Sequence, residues 1–75
     1  MKPVVITYCK PCGYLKRAQS TATALNDKFG VEAELVPGKG GIFQIAVDGE
    51  IVAKRTSGGF PKDEEVLQAV QRALA

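Results

Sequence analysis

The chain contains no histidine and no tryptophan, and only two of its 75 residues are cysteines. The lack of histidine removes the commonest nitrogen ligand of protein-bound metals and the usual general base of hydrolytic enzymes. Two cysteines are also too few for the disulfide framework of a small secreted domain, which normally uses four or more. Chemistry that depends on special side chains therefore rests on sulfur.

Long apolar runs are missing as well. No stretch approaches the roughly 20 apolar residues that a membrane-spanning helix needs. Residues 1–8 have neither the long apolar centre nor the small-residue cleavage site of a secretory signal. We therefore expect a cytoplasmic protein without a membrane partner.

The charge balance is close to neutral, with ten basic and eight acidic residues and a net charge of +2. Because no long block of one sign is present, we do not expect nucleic acid as a partner. A chain of this length has room for a single domain, residues 1–75, with one modest core. Nothing in the composition indicates a cofactor.

The pattern of apolar residues predicts six elements in the order β-α-β-β-β-α. The strands are expected at residues 3–8, 31–36, 42–47 and 50–55, and the helices from Leu15 to Gly30 and from about Asp63 onward. Asp48 and Gly49 favour a type I′ turn, which predicts an antiparallel hairpin that pairs Val47 with Glu50 and Ile45 with Val52.

These elements have few sensible arrangements, because a β-α-β crossover is right-handed and hairpin strands are neighbours. We expect an α/β (α+β) fold with a four-stranded mixed sheet in the order 2-1-3-4 and both helices on one face. This is the minimal thioredoxin-like architecture. The uncovered sheet face would then carry one of two apolar sets, which suggests a homodimer contact or a docking surface. The sets are Phe43, Ile45, Val47 and Val52, or Ile42, Ala46, Ile51 and Ala53.

The two cysteines lie between the first strand and the first helix. Cys9 is expected to leave the carboxyl end of the central strand, with Pro11 and Cys12 at or near the first helical turn. Free backbone N–H groups and the helix dipole stabilise a thiolate at that position. Basic side chains nearby act in the same direction: Lys10, Lys16 and Arg17. A lowered thiol pKa is therefore expected.

The spacing of Cys9 and Cys12 allows one thiol to attack a partner disulfide and the other to release the product. We expect Cys9, as the more exposed of the two, to attack protein disulfides. Cys12 is then the resolving thiol, or the first to respond to peroxide. The chain is on this interpretation a small thiol-disulfide oxidoreductase or a redox-responsive protein. Its partners would be proteins or small thiols and disulfides such as glutathione.

Other interpretations of the pair stay open. Cysteine is often an ordinary buried apolar residue. A zinc site needs four ligands, which one copy of this chain does not supply, so no metal is expected. A Cu(I) carrier of the heavy-metal-associated type uses a similar pair, but its order is β-α-β-β-α-β and it usually has methionine where this chain has Thr7. A docking module without catalysis is a further alternative.

Three segments should meet beside the cysteines: the cysteine loop, the start of the third strand at Gly41, and residues 56–60. Gly41 has two interpretations. Its lack of a side chain lets the backbone of a partner approach closely, or the residue is part of a flexible loop without a binding role. Phe60, next to Gly59, is either an exposed aromatic contact or an apolar staple onto the last helix. Two more aromatic residues flank the cysteine pair. Their rings either pack against neighbouring residues, or their hydroxyl groups donate hydrogen bonds to a cysteine sulfur. They are Tyr8 and Tyr14.

Three stretches of the chain, VVITYCKPCGY, GGIFQIAVDGEIV and GGFPKDEEVLQAVQRAL, resemble the selenoprotein W-like (Rdx) family of small thioredoxin-like proteins. The resemblance covers nearly the whole chain. It implies a thioredoxin-like fold and a redox-active Cys-x-x-Cys centre. Selenium occupies the position of Cys12 in the selenocysteine members, which points to Cys12 rather than Cys9 as the reactive position.

The chain departs from this family and from its larger relatives at two positions. Gln44 stands where an acidic residue commonly follows the aromatic residue of the third strand. Thioredoxin and glutaredoxin themselves place a cis-proline just before that strand, where this chain has Gly41.

Overall fold

A computed structural model describes residues 3–56 and 59–74. The elements are β1 (Val4–Cys9), α1 (Leu15–Phe29), β2 (Ala33–Gly38), β3 (Phe43–Val47), β4 (Glu50–Lys54) and α2 (Asp63–Leu74). The predicted order β-α-β-β-β-α is therefore confirmed. Neither helix of the described chain is long and apolar enough to cross a membrane.

The sheet has the predicted order β2-β1-β3-β4. β1 pairs in parallel with β2 and antiparallel with β3, which in turn pairs antiparallel with β4. α1 packs against β1 and β2, α2 packs against β3 and β4, and the two helices contact each other. Both helices consequently cover one face of the sheet, which is the thioredoxin-like arrangement expected from the sequence.

The core lies between this sheet face and the helices. Alternate residues of the two central strands point into it, as the two-residue period of a strand requires. They are Val4, Ile6 and Tyr8 of β1 and Phe43, Ile45 and Val47 of β3. The helices contribute Ala18 and Leu25 from α1, and Val66 and Val70 from α2. Of the two apolar sets weighed for the outer face, Phe43, Ile45 and Val47 belong to the inner face.

The hairpin shows one departure from its predicted register. Asp48 and Gly49 have φ angles of 54° and 82°, as a type I′ turn requires, and Val47 pairs with Glu50 as predicted. The expected pairing of Ile45 with Val52 is wrong, because the register shifts at this point and Ile45 pairs with Ala53. This β-bulge inserts Val52, and both it and Ala53 pack against the core.

Local signals fix the ends of the helices. Gly30 ends α1 with φ 67°, and its N–H donates to the carbonyl oxygen of Asn26 at 2.8 Å. A left-handed residue after the last helical turn favours glycine. The first turn of α2 carries three acidic residues, which suits the positive end of the helix dipole. They are Asp63, Glu64 and Glu65.

Candidate functional site

The two cysteines are joined in a disulfide at the carboxyl end of the central strand. Cys9 is the last residue of β1, and Cys12 lies in the turn that leads to α1. Their Cα atoms are 5.3 Å apart. The pair therefore forms a closed four-residue unit that is fixed to the sheet on one side and leads into the helix on the other.

Three backbone hydrogen bonds hold this turn. The N–H of Lys10 donates to the carbonyl oxygen of Gly38 at 3.1 Å, which ties the start of the turn to β2. The N–H of Gly13 donates to the Lys10 carbonyl at 3.1 Å, and the N–H of Tyr14 donates to the Cys9 carbonyl at 3.3 Å. The cysteine loop is thus anchored by the backbone as well as by the disulfide.

Helix α1 begins later in the sequence than the expected stabilisation of a thiolate at its first turn requires. Tyr14 is the residue that precedes α1, so Pro11 and Cys12 lie in the preceding turn and not in the first helical turn. The physical reason is Gly13, whose φ of 80° is left-handed and incompatible with a helix. The basic side chains of Lys10, Lys16 and Arg17 are exposed around this turn.

The two cysteines differ sharply in burial. Cys9 has 0% of its surface exposed, whereas Cys12 is exposed. The expectation that Cys9 is the more exposed thiol is therefore wrong. Cys9 remains part of the sheet, opposite Gly38 of β2, while Cys12 lies on the surface turn.

Phe60 stands beside this turn and joins several elements. Its ring meets that of Tyr14 edge-on, with centroids 4.8 Å apart, and that of Phe43 edge-on at 5.4 Å. Such edge-to-face pairs are favourable beyond the area they bury. Phe60 is half-buried against the core, so the residue both packs and keeps part of its ring at the surface.

Two arginines lie over the same ring. The guanidinium carbon of Arg17 is 4.1 Å from the Phe60 centroid, and that of Arg55 is 5.6 Å away. We call these five residues, Tyr14, Arg17, Phe43, Arg55 and Phe60, the Phe60 cluster. Arg55 was not singled out from the sequence, because its placement depends on the end of β4, where its N–H donates to the Phe43 carbonyl at 2.7 Å.

The remaining predicted site residues are Tyr8, Gly41 and Gly59. Tyr8 is only 7% exposed and packs in the core opposite Phe43. Gly41, with φ 78°, lies near the cluster, since a Cβ added there would be 3.8 Å from an Arg55 guanidinium nitrogen. Gly59 bridges to Thr56, and residues 57 and 58 of the predicted loop lie outside the described residues.

An open groove of about 510 Å³ adjoins the turn. It runs between α1 and the start of α2. Its lining is Gly13, Lys16, Arg17, Ser20, Thr21 and Asp63. Within residues 3–56 and 59–74, no three histidine, cysteine, aspartate or glutamate side chains are grouped to hold a metal ion.

Comparison with known proteins agrees with the geometry. The model of the Rdx family matches residues 3–72. Over 72 residues, the chain is 36% identical to migration and invasion enhancer 1 of Mus musculus and 35% identical to the Bos taurus protein of the same name. The match covers 93% of this chain and 63% of each relative, so the chain spans less than two thirds of their length.

Two crystal structures share the fold over almost their whole length. A Bordetella parapertussis protein is 37% identical, with a TM-score of 0.88 and 96% of both chains covered. A selenoprotein W-related protein from Vibrio cholerae is 28% identical, with a TM-score of 0.89 and coverage of 99% of this chain and 98% of that one. With the family model matching 3–72 and the cysteine pair at the end of the central strand, the chain belongs to the Rdx family.

Proposed function

We propose that the chain is a small thiol-disulfide oxidoreductase or redox-responsive protein, in which Cys12 receives the substrate and Cys9 resolves the intermediate. The observation that carries this proposal is the unequal burial of two linked cysteines. A partner sulfur can approach Cys12 at the surface, whereas Cys9 is fully covered. Thiol-disulfide exchange requires access to the attacking sulfur as well as thiolate character.

The proposed reaction starts from the reduced dithiol. The Cys12 thiolate attacks one sulfur of the substrate disulfide, a Cys12–substrate bond forms, and the other substrate sulfur leaves as a thiolate that takes up a proton. The Cys9 thiolate then attacks the Cys12 sulfur, and the second substrate thiol is released. The protein is oxidised to the disulfide, and the substrate disulfide is reduced to two thiols.

The assignment of Cys12 as the first thiol reverses the expectation that Cys9, as the more exposed thiol, attacks the substrate. It agrees with the family resemblance, in which selenium stands at the position of Cys12. The alternative of a heavy-metal-associated Cu(I) carrier does not fit the fold, because the fifth element here is the strand β4 and not a helix. A docking module without catalysis is the competing proposal.

Partners and location follow from the same chemistry. The proposed partners are proteins with reactive disulfides or small thiols such as glutathione. The cytoplasm is the proposed location, because a dithiol that must return to its reduced form needs a reducing thiol pool. Self-association through the outer sheet face, where Ile51 is 50% exposed, is the proposed form of a homodimer.

Trapping with oxidised glutathione tests the function. In Cys9→Ala, the mixed disulfide at Cys12 should accumulate, because the resolving thiol is missing. In Cys12→Ser, the remaining Cys9 thiol should stay largely free under the same native conditions. Intact mass spectrometry counts the added glutathione. Wild-type protein that shows no reversible two-electron couple in a glutathione redox titration would favour the docking module instead.

A further inference from the structure

The Phe60 cluster brings two positive charges to the edge of the cysteine turn. Arg17 comes from α1 and Arg55 follows β4, and both guanidinium groups lie over one aromatic ring at 4.1 Å and 5.6 Å. The same ring contacts Tyr14, which is two residues after Cys12 and donates its N–H to the Cys9 carbonyl. The charges are therefore coupled by direct contact to the segment that carries the exposed sulfur.

These charges are not neutralised by neighbouring acidic groups. Among the described residues, neither Arg17 nor Arg55 forms an ion pair, and Asp63 is the one carboxylate that lines the adjoining groove. The residues that line the groove or belong to the Phe60 cluster include three basic side chains, Lys16, Arg17 and Arg55, against the one acidic side chain of Asp63. Lys10 adds a further exposed basic side chain in the turn itself. The surroundings of the exposed sulfur are therefore more basic than the +2 net charge of the whole chain indicates.

We infer that the disulfides reduced at Cys12 are anionic, with carboxylates close to the reacting sulfur, and that Arg17 and Arg55 bind those carboxylates. This inference rests on the proposed function and adds its substrate class. Phe60 holds the guanidinium groups through cation–π contact, which leaves their N–H edges free for bidentate pairing with a carboxylate.

Electrostatics gives the arginines a role in the attack itself. The Cys12 thiolate and a carboxylate-bearing disulfide are both negative and repel each other. Two guanidinium groups beside the turn offset that repulsion and raise the local concentration of anions. The balanced exchange is the one given above, with the substrate disulfide as the oxidant and the reduced Cys9–Cys12 dithiol as the reductant.

A series of small linear disulfides of similar length and different charge tests the inference. Pre-reduced protein is mixed in a single turnover with 3,3′-dithiodipropionate, bis(2-hydroxyethyl) disulfide or cystamine, which are anionic, neutral and cationic. For exposed charges, Arg17→Gln and Arg55→Gln should each slow the anionic disulfide about threefold. Each should speed cystamine by a similar factor, with both factors taken relative to the neutral disulfide, whose rate reports any change in the thiolate fraction of Cys12.

Two further variants separate local recognition from other effects. Arg72→Gln removes the same charge from the last turn of α2 and should leave all three rates unchanged. Phe60→Leu keeps an apolar side chain but removes the cation–π surface, and it should lower the ratio of anionic to cationic rates. Raising the salt concentration to about 0.5 M should bring the wild-type rates with the two charged disulfides closer together.

The possible outcomes are distinct. Equal responses of the three disulfides to Arg17→Gln and Arg55→Gln, or an effect of Arg72→Gln as large as theirs, would overturn the inference while leaving the oxidoreductase proposal intact. A reduced protein that exchanges with none of the three disulfides would overturn the proposed function itself. A change in the stability of Phe60→Leu without a change in the anionic-to-cationic ratio assigns Phe60 to packing alone and contradicts its place in the site.

Discussion

The reduced protein should show a large difference in the alkylation rates of its two thiols. In Cys9→Ala, the remaining Cys12 thiol is on the surface and should react freely with iodoacetamide. Cys9 has 0% of its surface exposed in the disulfide form, so in Cys12→Ser we expect the remaining Cys9 thiol to react only when the structure opens locally. Alanine is chosen at position 9 because a serine hydroxyl there would be buried.

The size of the difference follows from the hydrogen bonds that local opening breaks. Exposing Cys9 separates the Lys10 N–H from the Gly38 carbonyl, and the Tyr14 N–H from the Cys9 carbonyl. At roughly 0.5–1.5 kcal/mol for each bond, the opening costs about 1–3 kcal/mol. Since about 1.4 kcal/mol is tenfold in an equilibrium, Cys9 should react about 5- to 150-fold more slowly than Cys12.

The assay must separate two effects on the rate: access of iodoacetamide to the sulfur, and the fraction of the thiol that is ionised. Rates are measured across pH to the plateau at which each thiol is fully ionised, and each plateau is divided by the rate of the same variant unfolded in urea. A Cys9 plateau within twofold of the Cys12 plateau, or above it, would refute the assignment of Cys9 as the protected, resolving thiol. A difference in thiolate fraction cannot account for such a result, because both thiols are fully ionised at the plateau.

Two predictions concern the fold. Leu25→Ala, at a fully buried position, should lower the free energy of unfolding by about 2–5 kcal/mol in urea titration, whereas Leu15→Ala, at a position 41% exposed, should lower it by under about 1 kcal/mol. Gly38→Ala should be destabilising by about 1–3 kcal/mol, because the new Cβ would lie 2.8 Å from Cγ2 of Ile42 and 3.3 Å from Cγ2 of Thr7. In the double variant with Ile42→Ala the closest of these methyl groups is missing, so the penalty of the Gly38→Ala step should be smaller than in the wild-type background. The same penalty in both backgrounds would contradict the contact with Ile42.

Most of the fold could be predicted because its signals are local. The Asp48-Gly49 turn, the stop of α1 at Gly30 and the acidic start of α2 each depend on a few adjacent residues. The right-handed crossover then leaves few ways to order the strands. The Val52 bulge could not be predicted, since it depends on how β4 fits against α2 and the core rather than on the hairpin sequence.

The site was predicted less completely than the fold. The cysteine motif and Phe60 are visible in the sequence, but the burial of Cys9 depends on β1 continuing to that residue and on Gly13 delaying the helix. Arg55 is 38 residues from Arg17 in the sequence. No feature of the neighbouring sequence indicates that Arg55 belongs to the site. The order of the strands in the sheet brings both arginines to the Phe60 ring.

In the proposed exchange, the position of the cysteines in the fold sets the order in which they react. Pairing with β2 fixes Cys9 in the sheet, so a partner sulfur reaches it only after the strand end opens. Cys12 needs no such opening, and its Cα lies 5.3 Å from that of Cys9 in the linked state. A mixed disulfide at Cys12 therefore places a sulfur within reach of the buried thiol while keeping external disulfides away from it. We therefore expect Cys9 to react almost only with the proposed intermediate, which would favour release of the product over formation of a second mixed disulfide.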